Sequence, residues 1–127
     1  MITGFYAGLM GLMMVVLILR VALRRRKYKV GLGDGGIADL GQAIRVHGNF
    51  AEMVPMLLIL LGLLELNQIA AVYLHIFGIL LVLTRILHAH GITSSPNLSF
   101  GRKSGVMISF LLLIVGSLAL IMSYLAN

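Results

Sequence analysis

The sequence contains no cysteine and no tryptophan among its 127 residues. The absence of cysteine excludes disulfide bonds, cysteine-based metal sites and a cysteine nucleophile, so any thiol chemistry would need a thiol supplied by a small molecule. Charged residues are also scarce, at 11% against about 25% in an average soluble domain. Hydrophobic residues make up 60% of the chain and the mean hydropathy is +1.05, a composition that indicates a protein solvated by lipid.

Four apolar stretches dominate the sequence, and each is long enough to cross a bilayer, which takes about 20 residues of helix. They leave too few residues for a separate soluble domain. The sequence therefore predicts one domain over residues 1–127, an all-α integral membrane four-helix bundle. The predicted helices span about 2–26, 43–66, 69–90 and 105–126.

The ten Lys and Arg residues lie in or beside two segments, one between the first and second helices and one between the third and fourth. The N-terminus, the Asn67–Gln68 turn and the C-terminus carry none. Because cytoplasmic loops are enriched in basic residues, this pattern predicts that both termini lie outside. The net charge of +6 then reflects topology and contact with anionic membrane lipids, and a nucleic-acid partner is not expected.

The second helix carries a polar stripe at its cytoplasmic end. Arg45, Asn49 and Glu52 are spaced i, i+4 and i+7, which places them on one face of a helix. Glu52 lies just inside the apolar span, where an ionised side chain is costly and usually faces protein or a water-filled cavity. Two interpretations are equally good on these grounds: a hydrogen-bonded clasp between helices or a ligand-binding site.

The third helix carries Arg85 and His88, three residues apart and at the same cytoplasmic level as the stripe. His88 and His90 form an H-x-H pair, but with no cysteine and few acidic residues to complete a coordination shell, a metal site is not expected. His75, alone in the middle of this helix, is expected to make an interhelical hydrogen bond.

The stripe belongs to a longer motif, R-x-H-x-N-x-x-E-x-x-P, formed by Arg45, His47, Asn49, Glu52 and Pro55. This motif at the start of a second membrane helix resembles that of the MAPEG family, the membrane-associated proteins in eicosanoid and glutathione metabolism. The resemblance extends along the chain and is greatest to short bacterial members, which have a similar Gly-Asp-Gly-Gly loop. It implies a bacterial inner (cytoplasmic) membrane location and a homotrimer.

The resemblance also implies glutathione, as co-substrate, bound between protomers near the cytoplasmic face, together with a lipophilic small molecule. An arginine before helix four would stabilise the thiolate, and by position this is Arg102, with Lys103 as the fallback. The implied glutathione-binding residues are Arg25, Arg45, Asn49, Glu52, Arg85 and His88.

The sequence departs from the family pattern at one position, since Ile92 stands where family enzymes commonly have a tyrosine. Two functions are therefore carried forward. The first is a membrane-bound glutathione transferase or peroxidase acting on lipophilic electrophiles or lipid hydroperoxides. The second is a non-catalytic protein of the same fold that binds a lipid or a partner. A small transporter is a weaker hypothesis, because the polar residues cluster at one end of the helices.

Overall fold

The structure, a computed structural model, describes the backbone of residues 1–94 and 100–126 and the side chains of residues 1–90 and 103–126. Within these residues the chain forms four helices and no strand, which confirms the predicted all-α four-helix bundle. All four are long and apolar enough to cross a membrane. The helices are α1 (Ile2–Tyr28), α2 (Ala38–Leu66), α3 (Ala71–Ser94) and α4 (Phe100–Leu125).

Helices α2 and α3 form the centre of the bundle, because each of them packs against all three other helices. One face of α2 is buried along its whole length and supplies half of the buried residues of the hydrophobic core. Leu57 and Leu61 at the middle of this face have no solvent-accessible surface. Burial of apolar side chains on one face therefore fixes how α2 is rotated, and so which of its residues remain outside.

The connection between α1 and α2 is held by side chains from the basic end of α1. The helix ends at Lys29, which takes the left-handed conformation (φ 55°), and Arg25 Nη1 donates to the carbonyl oxygen of Gly33 at 2.8 Å. Asp34 Oδ1 accepts from the backbone N–H of Gly36 at 2.9 Å, a side-chain turn that aspartate commonly makes. The glycine-rich segment is thus an ordered turn around Arg25.

Helix α2 begins at Ala38, earlier than the predicted residue 43. The reason is Asp39 in its first turn, whose carboxylate accepts hydrogen bonds from Arg24 Nε at 2.9 Å and from Tyr28 Oη at 3.0 Å. A carboxylate in the first turn also interacts favourably with the helix dipole. These polar contacts outside the apolar span extend α2 beyond its hydrophobic pattern.

At the opposite end of the bundle, Glu65 near the end of α2 caps the start of α1. Its two carboxylate oxygens accept hydrogen bonds from the backbone N–H groups of Ile2 at 2.6 Å and Thr3 at 2.9 Å. The first N–H groups of a helix have no partner within that helix, and a negative charge there is stabilising. Glu65 therefore joins α1 to α2 at this end of the bundle.

Helices α1 and α3 meet around an aromatic side chain. Tyr6 Oη lies 3.0 Å from His75 Nδ1 and donates to the carbonyl oxygen of His75 at 3.2 Å, which confirms the predicted interhelical hydrogen bond. The Tyr6 ring occupies the space that a side chain at position 78 would need, since a Cβ on Gly78 would lie 2.3 Å from Tyr6 Cδ2. Gly78 is thus the residue that allows Tyr6 to be buried.

We expect Gly78→Ala to destabilise the bundle by about 1–3 kcal/mol, because the new methyl group overpacks the Tyr6 ring. Gly8→Ala is the control, since a Cβ at Gly8 meets nothing within 4 Å; it should leave stability unchanged or raise it by up to about 1 kcal/mol through helix propensity. Equilibrium unfolding in mixed micelles, followed by circular dichroism, measures both. Equal stability of the two variants would contradict this account of Gly78.

Candidate functional site

The most deeply buried charge in the described part of the chain is Arg85, which is 2% exposed and lies between the helices toward one end of the bundle. Its Nη1 donates to Asn49 Oδ1 on α2 at 2.8 Å. Its Nη2 donates to Ser109 Oγ and, at 3.4 Å, to the carbonyl oxygen of Gly105, both on α4. Its Nε reaches Thr84 Oγ1 at 3.5 Å. One guanidinium on α3 therefore joins three helices.

The groups around Arg85 are positioned by their own helices. Ser109 Oγ donates to the carbonyl oxygen of Gly105 at 2.8 Å, and Thr84 Oγ1 donates to that of Leu81 at the same distance. Each hydroxyl therefore donates its hydrogen bond within its own helix, and its oxygen lone pairs can accept hydrogen bonds from the Arg85 guanidinium.

Close approach of α3 and α4 is what brings Ser109 to Arg85. A Cβ at Gly105 would lie 2.9 Å from the carbonyl oxygen of Thr84 and 3.1 Å from His88 Cβ. Small residues at a membrane helix interface permit such backbone contact, and Gly105 and Ser109 are one helical turn apart on the same face of α4. His88, itself buried, lies against this seam one turn beyond Arg85.

Arg85 has no anionic partner among the described residues. All four acidic residues of the sequence lie in the described part, and the ion pair found there joins Arg24 to Asp39 instead. The charge of Arg85 is therefore balanced only by neutral oxygens, and this end of the bundle carries an uncompensated positive charge.

Two other predicted residues, Arg45 and Glu52, lie on the outer surface of α2. Neither makes a hydrogen bond or an ion pair with a described residue of its own protomer. They are two helical turns apart, a rise of about 10.5 Å, and between them lies the half-buried Asn49 that bonds to Arg85. Opposite charges thus stand unpaired on either side of the Arg85 cluster.

Beyond Glu52, the same side of α2 continues as a row of apolar side chains. The polar and apolar residues together are spaced alternately by four and three positions, which is the spacing of a coiled-coil seam. We call this surface the α2 stripe, and all of its residues except Asn49 are exposed. The stripe comprises Arg45, Asn49, Glu52, Met56, Ile59, Leu63 and Leu66.

The remaining predicted site residues are placed differently. Arg25 is half-buried and bonded to the α1–α2 loop, to the carbonyl oxygens of Val30 at 3.4 Å and Gly33 at 2.8 Å. Lys103 is exposed near the start of α4. The side chains of Arg102 and Ile92 lie outside the described residues. The structure thus brings Asn49, Arg85 and His88 together and leaves Arg25 engaged with the loop.

The described residues contain no group of three His, Asp or Glu side chains that could hold a metal ion. What the site offers is hydrogen bonding and charge: a fixed guanidinium, an amide, and two exposed side chains of opposite sign. Such a set can bind a zwitterionic ligand through charge-assisted hydrogen bonds. It can also act as an interhelical clasp, and the bond between Asn49 and Arg85 supports that interpretation for these two residues.

Four membrane-length helices around an internal polar cluster define a multi-pass membrane protein. The sequence model of the MAPEG family matches residues 3–122, so the chain belongs to that family. It is 34% identical over 119 residues to "Inner membrane protein YecN" of Escherichia coli (strain K12), covering 94% of this chain and 89% of that protein. The protein of the same name from Escherichia coli O6:H1 matches equally well. No solved structure matches.

The membrane spans and the relatives indicate the same location. The described residues contain four candidate spans, and the chain resembles a protein named for the inner membrane. It is therefore a multi-pass bacterial inner membrane protein, as its sequence predicts.

The sequence did not identify Ser109, Thr84 or Glu65 as partners of charged or terminal groups. Ser109 had one usable signal: it follows Gly105 by four residues in an uncharged membrane span, a small-residue spacing typical of membrane helix contacts. Thr84 is adjacent to Arg85 in the chain, but adjacency on a helix does not predict contact.

We expect Ser109→Ala to cost about 1–3 kcal/mol, because it leaves the buried Arg85 without one of its acceptors. Ser117→Ala is the matched control, as Ser117 lies on the same helix and its side chain makes no hydrogen bond with a described residue. Unfolding in mixed micelles should separate the two variants. If Ser109→Ala is no less stable than Ser117→Ala, Ser109 does not stabilise Arg85.

Proposed function

We propose that this protein is a membrane-bound glutathione transferase or peroxidase that uses the glutathione thiolate against lipophilic electrophiles or lipid hydroperoxides. The observation that carries the proposal is the pair Arg45 and Glu52, exposed on α2 and without a partner among the described residues of the protomer. A carboxylate within a membrane span is costly unless protein, ligand or water satisfies it. A bound zwitterion would satisfy both residues together.

Glutathione matches these groups in charge. It has two carboxylates and one ammonium, so Arg45 would take a carboxylate and Glu52 the ammonium through charge-assisted hydrogen bonds. The uncompensated charge of Arg85 would favour an anionic ligand at the same level. Asn49 and His88 would shape the floor of the site, and Arg25 would reach it from a neighbouring protomer.

The α2 stripe supports self-association as part of the proposal, and the number of three protomers comes from the family resemblance. A ridge with coiled-coil spacing is suited to parallel packing against copies of itself, and packing there would place Glu52 between protomers rather than in lipid. The polar residues occupy one end of this ridge and the apolar residues the other, so a single interface would both hold the protomers together and enclose the ligand.

The chemistry needs a thiolate. A thiol with a reference pKa of about 8.5 is mostly protonated at neutral pH, and a nearby cation raises the thiolate fraction. Arg102, or Lys103 as the fallback, would supply that cation from the start of α4. In a transfer reaction the thiol loses its proton and the thiolate sulfur bonds to the electrophilic carbon. Either a leaving group departs from that carbon with the electron pair of its bond, or the π bond of an activated alkene breaks and its electron pair takes up a proton. In a peroxidase reaction two thiols become one disulfide while the hydroperoxide becomes an alcohol and water.

A second function is favoured by a separate observation. Asn49, Arg85 and Arg25 are already hydrogen-bonded within the chain, so at least three of the six proposed glutathione ligands also have a structural role. A protein that only binds a lipid or a partner at the same surface would need no further role for them.

We expect glutathione to stabilise the native protein, by about 2.7 kcal/mol at a concentration of 100 Kd, and Glu52→Gln to lose most of that gain. The substitution keeps the shape of the side chain and removes the charge that pairs with the ammonium. Thermal unfolding with and without glutathione measures the gain. Glu65→Gln is the matched control: it makes the same chemical change at the opposite end of the bundle and should keep the full gain.

Two results would refute the proposed ammonium contact. One is that glutathione gives wild type no added stability. The other is that Glu52→Gln gains as much stability as Glu65→Gln.

Thiolate formation distinguishes catalysis from binding alone. The thiolate of bound glutathione absorbs in the near ultraviolet, so wild type should show this absorbance at neutral pH. Arg102→Leu should still bind glutathione but require a higher pH for the same absorbance, because the thiol loses its stabilising cation. If Arg102→Leu and Lys103→Leu both keep the full signal, neither residue activates the thiol. Bound glutathione without a thiolate in wild type would favour the non-catalytic function.

A further inference from the structure

An apolar groove runs between α3 and α4 at the end of the bundle that contains the α2–α3 turn. Its volume is about 480 Å³ and no polar atom contributes to its lining. Leu80 and Ile108 line its inner end, Phe77 and Gly116 lie along it, and Tyr73 and Ala119 lie toward its outer end. None of the proposed glutathione ligands lines it.

The length of the groove corresponds to one leaflet of a bilayer. From Ile108 to Ala119 on α4 is a rise of about 16 Å, whereas the hydrocarbon core of a bilayer is about 30 Å thick. The groove thus extends from the first turn of α3 to about the middle of the membrane, which is the depth that one acyl chain reaches.

The volume of the groove is sufficient for one hydrocarbon chain. The groove offers about 480 Å³ along about 16 Å of α4, and the carbons of an acyl chain pack at about 3.5–4.0 Å from their neighbours. A single extended chain therefore fits along its length.

The groove opens to the surroundings of the bundle. Ile76 on α3 and Leu111 and Val115 on α4 line it and are each at least half exposed. Tyr73, which is 65% exposed, stands in the first turn of α3, where its hydroxyl would meet the headgroup region as interfacial tyrosines do. The groove therefore has an apolar body and an amphipathic rim at its outer end.

We propose that this groove binds one acyl chain of a phospholipid from the leaflet at the α2–α3 turn. A second copy of the protein is a poorer occupant, because the α2 stripe, on a different helix, already offers a surface with the spacing for self-association. Because no polar atom lines the groove, the protein recognises the acyl chain and not the headgroup. Lipids with different headgroups should therefore bind with similar affinity. The site stands independently of the proposed reaction with glutathione.

The test is native mass spectrometry of purified, delipidated protein titrated with dioleoyl phosphatidylglycerol or dioleoyl phosphatidylethanolamine. Wild type should retain one lipid per protomer, with either headgroup, under activation that strips the others. Ala119→Phe should weaken that binding at least tenfold, because the half-buried Ala119 lines the groove and a phenyl ring there fills it. Ala22→Phe makes the same change on the exposed surface of α1 and should keep the lipid.

A second measurement uses the absence of tryptophan from the chain. A single tryptophan introduced as Ile76→Trp lies in the groove, and one introduced as Leu118→Trp lies on the exposed surface of α4 outside it. Brominated phospholipid should quench the groove tryptophan at a lower mole fraction than the surface tryptophan. This comparison shows whether a lipid occupies the groove even if Ala119→Phe does not fold.

Three outcomes would overturn the proposal. Wild type and Ala119→Phe could retain the same number of lipids, or the two tryptophans could be quenched in parallel. Alternatively, Ala119→Phe could change the oligomeric mass while Ala22→Phe does not, which would identify the groove as an interface between copies.

Discussion

The buried charge of Arg85 is the constraint on which the rest of this bundle depends. An arginine in a membrane span is tolerated only when polar groups surround it, and here α2 supplies Asn49 while α4 supplies Ser109 and the carbonyl oxygen of Gly105. These contacts set the distance between α3 and α4, because Ser109 reaches the guanidinium only if Gly105 lies against the backbone of α3. They are also consistent with the rotation of α2 that its buried apolar face sets, since that rotation turns Asn49 toward Arg85.

Fixing Asn49 inward leaves Arg45 and Glu52 outward. The three residues share one side of α2, but they differ in how far round the helix they lie, so the middle one reaches the core while the outer two stay on the surface. The cluster around Arg85 therefore engages the amide oxygen of Asn49 and leaves the side chains of Arg45 and Glu52 exposed. The two interpretations of the polar stripe are therefore compatible. Asn49 and Arg85 form an interhelical clasp, and Arg45 and Glu52 remain exposed beside it, where a ligand or another protomer could contact them.

Much of the fold could be predicted because bilayer thickness translates directly into runs of apolar residues, and all four helices were found this way. Hydropathy could not place the start of α2, which depends on the bonds of Asp39 to Arg24 and Tyr28, nor the cap that Glu65 forms on α1. Both join residues on different helices, and helix periodicity contains no information on such pairs. The bonds of Arg25 to the α1–α2 loop could not be predicted from periodicity either; its place among the proposed glutathione ligands comes from the family resemblance.

The two ends of the bundle differ in polarity: one end has buried and exposed charges, and the other has an apolar surface between α3 and α4. At one end, Arg85 and the exposed pair Arg45 and Glu52 concentrate charge. At the other, Glu65 bonds to the start of α1 and Tyr6 bonds to His75, and the groove between α3 and α4 is apolar. Because the charged residues and the groove share no residue, a hydrocarbon chain in the groove would not contact the charged residues, and we expect each surface to bind its ligand without the other.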